Sequence, residues 1–513
     1  MMNLLRQSYL IVILATLCGC ATVDFNYPKT ISRAPIDTDD THIGRHFEGL
    51  AKKHPGKSGF YPVVDGIDSL AARLLLAKKA ERTIDAQYYL IIDDVTGYAF
   101  IDSLLCAADR GVRVRLLLDD FLTMGYDVGM AALDSHPNFE VRIFNPFARR
   151  SARAIDGVTS YSRINRRMHN KSFTVDNQIT MIGGRNIAAE YFGINRDKKF
   201  GDLDVVGIGP VVGEVSDMFD VYWNNISAVP IPAFAKMPED LAAELLALRG
   251  RIEQSHQKIR DTPYATAVEM QVLEFIESDV DSYTWAPYTL AYDSPDKAQE
   301  KLAKNAQSIR TPLKESLTNA QQEIVIISPY FVPNETLIQG LIEMQKRGID
   351  VTIVTNSLAA NNQLVVHSGY APARKPLLKE GIKIYEARPD ATVSGSHLVA
   401  ASGGISTLHT KAFVVDRREL FIGSFNFDPR SAYINTEMGV IIESPELAAP
   451  LVKQLYEKAP THAYEVFLNE KGKLRWRTIE NGQEVILDKE PQTRWWQRFV
   501  VGFLRILPIK SQL

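Results

Sequence analysis

The sequence predicts an α/β protein of two tandem units, each a mixed or parallel sheet sandwiched by helices (α/β/α), with one active site shared at their interface. Three observations predict it. Strand-like and helix-like stretches alternate along the chain; they do so twice in the same order; and each round carries a copy of one polar motif. A chain of 513 residues has room for at least two cores. Its composition, 45% hydrophobic and 23% charged with a formal net charge of −3, is that of a globular protein. Near-neutrality exerts no general pull toward nucleic acid, and none is expected as a partner.

The first residues are of another kind. Arg6 precedes an apolar run from Tyr9 to Leu17, then Leu17-Cys18-Gly19-Cys20. The run suits a signal-peptide core better than a membrane span. Its ending resembles a bacterial lipobox, which implies a signal peptide over 1–19 and lipidation of Cys20. The resemblance implies an anchored lipoprotein on the periplasmic side, and Ala21 favours the outer membrane; an uncut inner-membrane signal anchor is the alternative. Residues 20–35 read as a tether. Cys106 alone then remains, so no internal disulfide and no zinc cluster can form, and its apolar helical stretch makes it a core residue.

The first unit is expected over 36–230. Residues 83–90 read as a buried strand, and a helix follows from about Gly97 to Asp109 with Phe100, Leu104, Leu105 and Ala108 on one face. Strands at 111–118 and 139–144 come next. A polar helical stretch of about 238–260 lies in a connector placed at 231–300, packed on the first half. The second unit, 301–460, repeats the order: strand 323–328, helix 335–346, strand 348–354 and strand 381–385. Gly111 and Gly348 each follow a helix, where glycine caps. Residues 461–513 form a C-terminal extension.

The duplicated motif carries the chemistry. The first copy runs from His169 through Lys171 to Asp176, then Gly183-Gly184-Arg185-Asn186. The second runs from His409 through Lys411 to Asp416, then Gly423-Ser424-Phe425-Asn426. One such match arises by chance in roughly a few per cent of chains this long, and two with matching tails in well under about one in a thousand. In an extended segment His and Lys two apart share a face, with Phe173, Val175, Phe413 and Val415 continuing the alternation. The chain then turns near Asp176 or Asp416 and returns to glycines that allow close backbone approach to an anion. Asn186, Asn426 and Ser424 are the candidate phosphate-binding side chains. Two imidazoles, two ammoniums and two amides brought face to face make a phosphate site with a nucleophile on one side and a proton donor on the other.

These motifs match the HKD signatures of the phospholipase D superfamily. From about Gly56 onward the chain resembles bacterial cardiolipin synthases of the C type, on Arg166–Asp176, Thr355–Asn362 and Phe421–Gly439. The resemblance implies two phospholipase D-like units and a two-step exchange at a phosphodiester with no metal or organic cofactor. His169 is the nucleophile and His409 the acid/base, by analogy, since the residues themselves treat the two symmetrically. Lys171 and Lys411 hold the nonbridging oxygens. Asp176 and Asp416 complete the catalytic signature, although their place suits tying the turn better than carrying protons. Glu437 matches the superfamily's acidic partner of histidine, and the parallel stretch in the first half nominates Asp202, with Asp204 as the alternative.

Weaker signals remain. Ser357, Asn361 and His367 follow a strand end and either line a head-group entrance or serve turn and cap roles. Arg149-Arg150 and Arg166-Arg167 suit anionic lipid or, more commonly, solvated loops. The run from Trp495 to Leu507 suits a helix in a membrane interface, or a helix docked on the enzyme body. The leading expectation is a phosphatidyltransferase moving a phosphatidyl group onto phosphatidylglycerol, with phosphatidylglycerol or phosphatidylethanolamine as donor. A hydrolytic phospholipase D is the alternative, then a nuclease.

Overall fold

A computed structural model describes residues 23–194, 198–260, 282–299, 302–390 and 405–513. Cys20 and the lipobox lie outside the described residues. Among these residues nine strands form one sheet and ten another. In the first the order is 284–286, 58–63, 204–208, 179–183, 172–175, 83–88, 113–119, 139–144, 228–230. In the second it is 288–292, 438–443, 419–423, 412–415, 323–327, 350–356, 383–387, 463–468, 474–480, 483–487. Strands 83–88, 113–119 and 139–144 run parallel, as do 323–327, 350–356 and 383–387. The expected duplication is therefore a duplication of topology: eight strands occur in the same spatial order in each sheet.

The local chemistry explains the repeat. Helices Val95–Asp109 and Glu335–Lys346 are capped by Asp94 and Asn334 side chains accepting backbone N–H bonds. Both end before a left-handed glycine, Gly111 at φ 95° and Gly348 at φ 89°, which turns the chain into the next parallel strand. The last strand of each hairpin set leads into a helix with proline in its first turn, Pro210–Asn224 and Pro445–His462. These two helices and the facing sheets bury one shared core, including Val215, Phe219, Trp223, Leu420, Val440, Val452 and Leu455. Separate cores lie on the outer faces of the first and second units. The halves are thus joined through an apolar layer, the strongest kind of non-directional adhesion available to them.

Three boundaries differ from expectation. Strand 284–286 belongs to the first sheet and 288–292 to the second, so Pro287 alone separates the units and the connector ends near 283. Residues 463–487 are three strands of the second sheet rather than an extension, with Tyr464, Val466 and Trp476 in its core. The supposed tether is a strap from Lys29 onward. Arg142 donates to Thr30 O at 2.6 Å, Arg115 to Ser32 O at 3.0 Å, and Asp220 accepts from Ala34 N at 2.9 Å. Helix Leu241–Ile259 packs on helices Val95–Asp109 and Asp127–Asp134. Cys106 faces outward from its helix and is exposed, because the buried stripe runs through Leu104, Leu105 and Ala108.

Candidate active site

Each histidine sits just before a hairpin. Strand pairs 172–175 with 179–183 and 412–415 with 419–423 are closed by turns with two left-handed residues each: Asp176 and Asn177, Asp416 and Arg417. The Asp176 carboxylate accepts the backbone N–H groups of Glu81, Arg82 and Thr83, and Asp416 those of Gln321, Gln322 and Glu323. Though part of the signature's catalytic set, both aspartates are turn clamps at the end of the strand remote from the histidine.

The two histidines are tied crosswise. His169 Nδ1 lies 2.8 Å from Glu437 Oε2, and His409 Nδ1 lies 2.5 Å from Asp202 Oδ2. The backbone crosses in the same way: His169 N donates to Thr436 O at 2.9 Å and His409 N to Gly201 O at 2.7 Å. A two-stranded parallel ribbon, 198–201 with 405–408, carries the second of these contacts. Each half thus supplies the residue that fixes the other half's imidazole, with Nδ1 as donor and Nε2 left for chemistry. Asp204, the alternative to Asp202, is instead buried between Arg73 at 3.0 Å and Arg185 at 3.2 Å, which hold its carboxyl below its ordinary value despite burial.

The glycines serve the carboxylates. A Cβ on Gly184 would lie 2.3 Å from Asp202 Oδ1, and one on Gly183 would lie 1.9 Å from Asp204 Oδ1. Their close approach is to these side chains, not to a substrate anion as expected. Ser424, at the position of Gly184, is a further correction. Its hydroxyl donates to Glu437 Oε2 at 2.5 Å and accepts from Met438 N at 3.0 Å, so both of its capacities are used inside the protein. Ser431 donates to Glu437 Oε1 at 2.7 Å. Asn186 uses one amide atom on Tyr191 OH at 3.0 Å, and the Oδ1 atoms of Asn186 and Asn426 are buried without a partner. An amide presents either of its atoms, so such a position also suits an N–H donor to an anion.

Both lysines fold back on their histidines: Lys171 Nζ donates to His169 O at 2.5 Å, and Lys411 Nζ reaches His409 O and lies 2.7 Å from His409 Nδ1 and 3.1 Å from Nε2. Burial lowers Lys171 to about 7 and Lys411 to about 8, with Glu437 and Asp202 opposing. Burial, joined by the Lys411 ammonium, pushes His409 down to about 3, and burial lowers His169 as well, against the pull of Glu437. The Glu437 carboxyl is raised by burial, yet His169 and Lys171 bring it below its ordinary value. Two buried lysines side by side in one cleft suit a bound negative charge, which would favour their protonated forms. Aromatic rings wall the imidazoles, Tyr89 against His169 at 5.1 Å and Tyr191 and Phe200 against His409 at 5.0 and 5.1 Å.

Two residues escaped the sequence reading. Asp119 Oδ2 accepts from Met168 N at 2.8 Å, and Asn356 clasps Leu408 through bonds of 2.8 and 2.9 Å. Each holds the residue preceding a histidine, and each lies eight positions after the capping glycine, Gly111 or Gly348. That shared offset was the available signal. By contrast, Ser357 accepts from Ala360 N and Asn361 from Gln363 N, which are turn and cap roles, and His367 is fully buried 3.6 Å from Glu490. The basic pairs are engaged: Arg149 with Asp156, Arg150 with Asp127, and Arg167 buried on Asn145 O and Asp119. Among the described residues no three His, Cys, Asp or Glu side chains converge as a metal-ligand set.

Comparison with known proteins places this geometry. The family described as "Cardiolipin synthase, PLD-like domain" matches residues 74–223 and 313–458, one match per sheet. The chain is 42% identical to cardiolipin synthase C of Escherichia coli (strain K12), over 90% of this chain and 97% of that protein. It is 24% identical to cardiolipin synthase 2 of Bacillus anthracis, over 88% of this chain and 68% of that protein. The crystal structure of phosphatidylserine synthase from Haemophilus influenzae Rd KW20 superposes with a TM-score of 0.57 at 13% identity, covering 90% of this chain and 98% of that one, and shares the fold. The paired sheets, the two crossed histidine–carboxylate contacts and the family match in both halves lead to one statement: the chain belongs to the PLD-like cardiolipin synthase family.

Proposed function

We propose that the protein is a phosphatidyltransferase of cardiolipin synthase type that moves a phosphatidyl group onto phosphatidylglycerol through a phosphohistidine. The observation that carries this reading is the pair of crossed His–carboxylate contacts beside two buried lysines. In the first step His169 Nε2 attacks the donor's phosphorus and the bond to its head-group alcohol breaks. That alcohol takes its proton from His409. In the second step an incoming phosphatidylglycerol hydroxyl gives its proton to His409, its oxygen bonds to phosphorus, and the phosphorus–His169 bond breaks. Lys171 and Lys411 hold the nonbridging oxygens as point charges, and Asn186 and Asn426 add amide donors.

Burial and the Lys411 ammonium favour neutral His409. A diester anion seated between the lysines offsets their charge and lets His409 carry the proton that the first step needs. The aromatic walls favour transfer over hydrolysis by limiting water at the phosphohistidine. The donor is phosphatidylglycerol or phosphatidylethanolamine, releasing glycerol or ethanolamine. The N-terminal segment supports anchoring through Cys20 on the periplasmic side, in the outer membrane by preference.

The test is lipid analysis of a cardiolipin-deficient bacterium expressing the chain or its His409→Ala variant. Cardiolipin formed only by the intact chain is expected. Phosphatidic acid without cardiolipin would make the enzyme a hydrolase.

A further inference from the structure

We infer that the mouth of the cleft is rimmed by one lipid-docking face, formed by the turn at 121–128, the segment 155–161 and the C-terminal helix, which seats the His169 side of the cleft on an anionic bilayer surface. The inference rests on the proposed phospholipid chemistry and adds to it a surface contributed by the first unit.

Exposure is the first argument. Among the described residues 23 large apolar side chains are exposed, and 13 of them lie in 121–128, 155–161 and 495–507. Single exposed apolar residues are ordinary, but this concentration is not. Met124 is 68% exposed, Val158 85%, Trp495 72% and Phe499 67%.

Continuity is the second. Arg153 donates to Asp120 O at 2.8 Å and Phe121 O at 3.1 Å, joining helix Arg153–Thr159 to the turn. Tyr161 OH and Asn165 Nδ2 both donate to Gln512 Oε1 at 2.9 Å, joining that region to the segment after the C-terminal helix. Arg430 N donates to Leu513 O at 2.7 Å, and Arg430 Nη2 to Asn165 O at 2.7 Å, so both units hold it. Helix Trp495–Leu504 itself packs on helix Leu364–Tyr370. Inward, Phe121 stacks on Tyr89 at 6.3 Å, and Tyr89 meets His169 edge-on at 5.1 Å. The face therefore begins two rings from a reacting imidazole.

Charge decides the occupant. Residues 491–513 carry Arg494, Arg498, Arg505 and Lys510 and no Asp or Glu, beside paired tryptophans. Cations and tryptophans flanking an apolar stripe are the pattern that settles into an anionic head-group layer. Among the described residues no helix is long and apolar enough to cross a membrane, which agrees with a face that lies on the bilayer.

The test uses the full chain in vesicles of phosphatidylglycerol and phosphatidylethanolamine with brominated acyl chains. In a Trp495→Phe, Trp496→Phe background, Met124→Trp should be quenched by bromine, as the native Trp495 and Trp496 should be in the unaltered chain. Quenching at 495 and 496 without quenching at 124 overturns the inference, because the helix then docks alone. Lack of quenching at all three positions, or a Met124→Trp signal that follows protein concentration rather than lipid, overturns it in favour of a protein-covered face. Separately, Met124→Glu with Val158→Glu should lower turnover on vesicles about tenfold and leave turnover of short-chain, monomeric phosphatidylglycerol unchanged. Equal loss on both substrates overturns the docking role. An unaltered chain inactive on both refutes the transferase reading and leaves the quenching result to decide the docking.

Discussion

The two histidine–carboxylate pairs look equivalent but are supported differently. Glu437 is held by hydroxyls, Ser424 on one oxygen and Ser431 on the other, while His169 takes the remaining place. Asp202 is held on its second oxygen by a backbone N–H, Leu203 at 2.9 Å, while His409 occupies the first. A hydroxyl accepts or donates as required, whereas a backbone N–H only donates. The first arrangement tolerates a change in the carboxylate's hydrogen-bonding sense; the second does not. Two sites descended to the same geometry by repetition can therefore fail in different ways.

The largest effects come from the imidazoles. His169→Ala and His409→Ala should each lower turnover by about 10^4-fold with little change in melting temperature, because each side chain borders a polar cleft. Acid quench and mass spectrometry should locate phosphate on residue 169. Phosphate on residue 409 would exchange the two roles while preserving the chemistry.

Next come the carboxylates, where the comparison is most exposed. Asp202→Asn must either turn its NH2 toward His409, forcing the other tautomer, or set it against Leu203 N–H. Glu437→Gln can keep oxygen on His169 and give its NH2 to Ser431. Asp202→Asn is expected to lose about 10^2- to 10^4-fold in kcat, and Glu437→Gln about tenfold less. Equal losses would show that the supporting atoms do not matter.

Smaller effects lie one layer out. Gly184→Ala pushes a methyl onto Asp202 and should cost about 1–3 kcal/mol of stability along with activity. Ser424→Ala removes one donor from Glu437 and should cost about 1 kcal/mol, read as a fivefold to tenfold fall in kcat.

The lysines give the gentlest test. Their charges are present below about 7 for Lys171 and about 8 for Lys411, and vanish as pH rises through those values. The kcat/KM profile should therefore fall between pH 7 and pH 9. Lys171→Arg and Lys411→Arg, which stay charged, should move that alkaline limb upward wherever the guanidinium fits.

What was legible in the chain was whatever depends on short spacing. His169, Lys171 and the hairpin through Asp176 follow from alternation and turn chemistry within a dozen residues, and so does their second copy. The crossing was not legible. Glu437 lies 268 positions from His169, and Asp202 lies 207 from His409, so only the packing of the two sheets on their shared core brings them together. Gly184 signals a close approach without saying to what, and Ser424 a polar side chain without saying which group it holds. Strands 463–468, 474–480 and 483–487 do not stand out in the sequence because they are half-buried strands at one end of the sheet, with partly exposed positions that weaken the alternation.

Pro287 marks where this matters in the life of the chain. When synthesis has just passed it, His169 and Asp202 exist, but Glu437 and His409 do not. A first half folded alone holds an unaligned imidazole and no acid, so it can neither form nor discharge a phosphohistidine. The crossed contacts act as an interlock: neither imidazole is aligned until the whole chain is made and its halves have closed on each other.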